Sequence, residues 1–124
     1  MSSPTVLKVT EPEFVEHVLY LQGAGASVPT VVRAAGVTLV RNGVGDITVT
    51  FKEAPGEYVG HTEGFDANTV TDVDGWSVVV DKDGGSATTV RFTIVSDTPA
   101  AADLPVNSWL LLKLHFCRAK GIRG

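Results

Sequence analysis

The chain has 124 residues, 44% of them hydrophobic and 19% charged, enough apolar material for one packed domain, and this excludes wholesale disorder. Cys117 is the single cysteine, which excludes an intrachain disulfide and a metal site built of thiolates alone. The net charge of −4 is unevenly held: residues 42–112 carry eleven acids against Lys52, Lys82 and Arg91, while the last twelve residues carry Lys113, Arg118, Lys120 and Arg123 without an acid.

The N-terminal "MSSPTVLKVTEPEF" lacks a basic start followed by an apolar core and reads as no signal peptide. No apolar run approaches the ~18 residues of a membrane span. Residues 10–22, "TEPEFVEHVLYLQ", are ambiguous. Thr10 with Glu13 matches a capping box, Pro12 suits a first helical turn, and Phe14, Val18 and Leu21 share one helical face. The same residues also fit an edge strand; the expectation is a short helix or an ordered arm. "GAGASVP" (23–29) reads as a linker, so the chain divides into an arm and linker (1–27) and a β-sandwich domain (28–124) with a short basic tail.

From residue 37 the hydrophobic period is two. Val37 and Leu39, then Ile47, Val49 and Phe51, then Val90, Phe92 and Ile94 alternate with Thr and charged residues. Turn-forming clusters separate these runs, predicting hairpins over 36–52, turning at Asn42-Gly43, and over 76–96, turning at Asp83-Gly84-Gly85. Short strands without an amphipathic helix among them specify an all-β, antiparallel sandwich. The closing run "SWLLLKLHFCR" is apolar on both faces. Leu110, Leu112, Leu114 and Phe116 form a core face; Trp109, Leu111, Lys113, His115 and Cys117 form the other. A strand apolar on both sides needs a second cover, and aromatic residues favour interfaces. Trp109, Leu111, Lys113 and His115 are therefore the candidate oligomer interface.

Catalytic motifs are not met. Gly43-Val44-Gly45 is followed by a β-branched strand instead of a helix, with Thr48 where a dinucleotide fingerprint needs its third glycine, so it reads as a turn. Asp72 to Asp83 matches a calcium loop at neither its central glycine (Ser77 stands there) nor its closing glutamate. His17, His61 and His115 lack zinc spacing, and no serine sits in Gly-x-Ser-x-Gly. Cys117 and His115 fall two apart on one strand face, without a third orienting group. The expectation is a protein that is not an enzyme, with no catalytic, cofactor or metal residues and with neither nucleic acid nor membrane as partner. Trp76, Trp109 and Tyr58 remain as surfaces that would stack on sugars.

"RNGVGDITVTF" and "VRFTIVSDTPAAADLPVNSWLLLKLHFCR" together resemble the head-decoration (cement) proteins of tailed bacteriophages. Matching positions are Gly43, Gly45 and Thr48 to Phe51, then Ala101 to Leu104, Asn107, Phe116 and Arg118. The resemblance implies a jelly-roll-like β-sandwich, similar to tumour-necrosis-factor and complement-head domains. It further implies a homo-oligomer, a trimer in such proteins, that stabilises the shell on the outer capsid surface by bridging copies of the major capsid protein. On that footing Phe14, Val18, Tyr20 and Leu21 of the arm are the candidate capsid contact, and deleting residues 1–22 is expected to weaken attachment and spare the fold. The alternative is a receptor- or glycan-binding module of a tail fibre or spike.

Overall fold

A computed structural model describes residues 10–34 and 36–121. The period-two runs become eight strands: β1 (Thr10–Gln22), β2 (Thr30–Arg33), β3 (Val37–Gly43), β4 (Asp46–Phe51), β5 (Glu57–Ala67), β6 (Ser77–Ser86), β7 (Thr89–Val95) and β8 (Ser108–Gly121). They form two four-stranded antiparallel sheets, ordered β2-β1-β8-β5 and β3-β4-β7-β6. The all-β sandwich expected from periodicity is what the chain builds.

Alternation decides what lies between the sheets. Leu19 and Leu21 of β1 and Leu110, Leu112, Leu114 and Phe116 of β8 face Ile47, Val49 and Phe51 of β4 and Val90, Phe92 and Ile94 of β7, all at most 5% exposed. Each such side chain contributes about 1.5–3 kcal/mol when fully withdrawn from water. An edge-to-face aromatic group closes one end of this core. His17 meets Phe51 at 4.9 Å and Phe116 at 5.6 Å between ring centroids, and Tyr58 meets Phe116 at 6.1 Å.

Two expectations are corrected. Residues 10–22 form neither a helix nor an arm standing off the body. They form a strand of 13 residues, paired with β8 at every position from Thr10↔Gly121 to Gln22↔Trp109. The alternative reading of these residues as an edge strand fits most of β1, since β2 pairs its other side only at Tyr20, Leu21 and Gln22. The physical reason is burial: a strand sends Val15, His17, Leu19 and Leu21 together into the sandwich, whereas the helical stripe would bury only Phe14, Val18 and Leu21. The first nine residues of the expected arm, and residues 122–124 of the basic tail, lie outside the described residues.

Both predicted hairpins form, but each turns later than expected. β3 and β4 join through Val44-Gly45, after a register shift between Arg41 and Gly43. β6 runs on through Asp83-Gly84-Gly85 and turns at Ala87-Thr88, where Ser86 pairs Thr89. Gly45 explains the first shift. Its φ of +68° suits glycine, and a Cβ there would lie 2.6 Å from the Ala102 carbonyl oxygen. The 101–104 segment is thus pressed onto the turn. The Gly45 N–H donates to Asp103 Oδ1 at 2.9 Å, and Arg41 holds both Asp103 oxygens, at 3.0 and 2.9 Å.

Candidate interaction face

A sandwich has two outer faces, and here they differ in chemistry. On the β3-β4-β7-β6 sheet the outer rows are largely threonines and paired charges. Arg91 Nε donates to Asp46 Oδ1 at 2.9 Å, and Asn42 donates to Thr48 Oγ1 at 2.7 Å. Its exposed valines, Val40 and Val79, stand on opposite edge strands. That is the half-solvated surface ordinary for an antiparallel sheet.

The β2-β1-β8-β5 sheet turns Phe14, Val18 and Tyr20 of β1 outward. Beside them stand Trp109, Leu111, Lys113, His115 and Cys117 of β8. Phe14 is 72% exposed, Val18 42% and Leu111 37%. The two surfaces proposed from sequence, one for the oligomer and one for the capsid, are therefore one surface. Cross-strand rows make this explicit: Tyr20 pairs Leu111, Val18 pairs Lys113 and Phe14 pairs Cys117. Leu21 does not belong to it. It is 0% exposed and packs inward, so its place among the capsid-contact residues is corrected; strand alternation sends it opposite to Tyr20. On the far side of β8, β5 brings Gly60 opposite His115 and Gly64 opposite Leu111. A Cβ added at either glycine would meet nothing within 4 Å. Polar groups stand among the apolar ones on this face: His115 Nδ1 lies 3.6 Å from Glu16 Oε2, with Lys113, Thr62 and Asp66 in neighbouring rows, while the Arg118–Glu13 pair, 3.1 Å from Nε to Oε1, lies on the opposite side of the sheet beside Val15 and His17.

One polar chain escaped the sequence reading. A register shift between Tyr58 and Gly60 turns Tyr58 to the same inner side as His61 and Glu63. The Tyr58 hydroxyl lies 2.9 Å from His61 Nδ1, and His61 Nε2 lies 2.8 Å from Glu63 Oε1. Glu63 Oε2 accepts the Val78 N–H of β6 at 2.8 Å. The arrangement ties two edge strands, β5 and β6, together across the sandwich. Burial, with the Glu63 charge second, pushes the Tyr58 phenol above its ordinary pKa, opposite to what a nucleophile requires. The i, i+2 spacing of His61 and Glu63 was readable; the shift that adds Tyr58 has no signal in residue type.

Two clefts open at the end of the sandwich holding the aromatic group. One, about 240 Å³, is lined by Tyr58, Val80, Ser86, Thr89 and Phe116. The other, about 360 Å³, is lined by Val15, His17, Phe51, Lys52 and Arg118. Among the described residues no group of three or more His, Cys, Asp or Glu is placed to hold a metal ion. Of the aromatic residues considered for sugar stacking, Trp76 packs against Phe65 at 6.4 Å and Tyr58 against Phe116, while Trp109 stands on the outer face. His115 and Cys117 lie side by side on the outer face, as their spacing implied.

Compared with protein families, with curated proteins and with solved structures, the chain finds no match, so its fold and the geometry of this face carry the functional reading.

Proposed function

We propose that this chain is a structural assembly protein that associates with copies of itself through the outer face of the β2-β1-β8-β5 sheet. The observation that carries this reading is the difference between the two outer faces: one carries threonines and the Arg91–Asp46 pair between two separated edge valines, the other gathers Phe14, Val18, Tyr20, Trp109 and Leu111 on two adjacent strands. A contiguous apolar face rimmed by polar residues marks an interaction site. The area suffices for one. Thirteen residues along the strand and three strands across span about 40 by 14 Å, roughly 560 Å² per copy, so that two copies together just clear the ~1,000 Å² of the smaller specific interfaces.

The setting we propose for this assembly is the outer surface of a tailed-phage head, with a jelly-roll-like decoration protein bridging major capsid subunits. Support comes from the resemblance described above, whose two halves touch in the fold where Asp103 meets Gly45 and Arg41. Two measurements test the proposal. Trp109→Asp with Leu111→Asp is expected to halve the mass in solution, or reduce it further, by light scattering, while Val40→Lys with Val79→Lys leaves it unchanged; an unchanged mass for the first pair refutes self-association through this face. The wild-type protein is expected to co-sediment with intact capsids in fixed stoichiometry, and failure to do so refutes the capsid setting.

A further inference from the structure

The outer face of the β2-β1-β8-β5 sheet is not uniformly raised. In the row Tyr20–Leu111–Gly64 a large ring stands on β1 and no side chain on β5. In the row Glu16–His115–Gly60 a long acid stands on β1 and again nothing on β5. In the row between them Thr62 stands on β5, so the face has a ridge along β1, a midline along β8 and, along β5, a trough that Thr62 divides into two hollows at Gly60 and Gly64. Both glycines leave open space where a Cβ would stand.

We propose that this face pairs with the same face of a second copy about a two-fold axis running along β8, each ridge seating in the other copy's trough. The proposal rests on the assembly reading above and specifies its partner and symmetry. Rotation about that axis carries β1 of one copy over β5 of the other while keeping the position along the strand. Tyr20 then lies over Gly64, and Glu16 over Gly60. A face whose raised and hollow sides exchange under a two-fold is self-complementary, which is what an isologous interface requires. Packed sheets cross at about 30°, and two residues from the centre that displaces a side chain by roughly 3–4 Å, less than one interstrand spacing of about 4.8 Å. The ridge stays over the trough.

Charge is divided along the seam. The axis sets Lys113 over Lys113 of the other copy, and Glu16 of the facing copy, one row along over Gly60, supplies the opposite charge where the missing side chain leaves it room. A cyclic trimer, by contrast, joins two different patches of each copy and gives no reason for ridge and trough to share one face.

The test exchanges ridge and trough. Gly64→Tyr fills the trough and is expected to sediment as a single copy; Gly60→Phe is an independent filling variant with the same expectation. Tyr20→Gly removes the ridge and is expected to weaken association at least tenfold. An equimolar mixture of Gly64→Tyr and Tyr20→Gly is expected to recover the two-copy species, because each variant supplies what the other lacks; native mass spectrometry of differently tagged chains would show it as a mixed pair. Circular dichroism and thermal unfolding of each variant confirm the fold. A wild-type mass of three copies, full association of both filling variants, or a mixture that stays dissociated would each overturn the two-fold. If Leu111→Asp dissociates the protein and the filling variants do not, the assembly face stands and its symmetry falls. A wild-type chain that stays single at 100 µM refutes both.

Discussion

Gly45 carries more of the fold than its size suggests. Its N–H and carbonyl are both taken, by Asp103 Oδ1 and by the Ile94 N–H, and its positive φ bends the chain where Ala102 presses closest. Replacing it with valine combines left-handed strain with a steric overlap against backbone, so Gly45→Val is expected to cost about 2–4 kcal/mol, read as a lower urea midpoint. Three titrating side chains contribute to the response to acid, one of them Asp46, whose carboxyl the Arg91 hydrogen bonds hold below 3.8. Burial, helped by the nearby Arg118 charge, lowers the His17 pKa from 6.5, so the unfolded chain takes up that proton first. Its contribution to stability is complete above pH 6.5 and falls as the pH drops through that value towards the lowered one. Asp103 is held below the usual 3.8 by the Arg41 hydrogen bonds and by the Gly45 N–H, so its contribution is present above 3.8 and is lost at lower pH. Stability against pH should thus show two separate declines. His17→Phe, which keeps a ring between Phe51 and Phe116, is expected to abolish the upper one alone.

At the scale of elements, β1 is where sequence reasoning and structure part. Capping residues and a Phe14–Val18–Leu21 stripe satisfied a helical template, and the strand's own alternation was hidden because both of its faces are apolar in part. Phe14 and Val18 misled because they point outward, and pointing outward is what makes them part of the candidate interaction face. The other strands were legible: threonines and paired charges on one side mark the solvent face, and Val, Ile and Phe on the other mark the core. Turn positions were less so, since Asn42-Gly43 and Asp83-Gly84-Gly85 satisfy turn chemistry as well as the residues that turn. What decides is cross-strand register and the docking of 101–104 on Gly45, both remote in sequence. Deleting residues 1–22 is now expected to abolish folding, because it removes Leu19, Leu21 and a whole partner of β8. Milder surgery, Leu21→Ala, is expected to cost about 2–4 kcal/mol by chemical denaturation while leaving the chain folded.

For the whole molecule, the candidate site was half legible. The doubly apolar β8 announced an unpartnered face from its residues alone, and its outer members lie where alternation put them. That β1 lies beside it, and that Gly60 and Gly64 flank it, depends on strand order, which periodicity does not encode. Two surfaces expected on separate parts of the chain became one because the first and last strands are neighbours. The face therefore mixes residues drawn from both ends of the sequence, and its ridge and trough come from β1 and β5, elements with no contact to each other in the sheet.

The same neighbourly β1 and β8 also govern when this protein becomes itself. Their partners lie about ninety to a hundred and ten positions apart, a separation that makes closure slow relative to local hairpins. During synthesis the β3–β4 and β6–β7 hairpins form from residues already made, whereas β1 waits, its Phe14 and Leu19 sides both open, until β8 emerges. A strand exposed on both faces for that interval is the segment most open to chaperones, or to a neighbouring chain's β8. Self-recognition in this molecule thus begins as a competition that its own last strand must win.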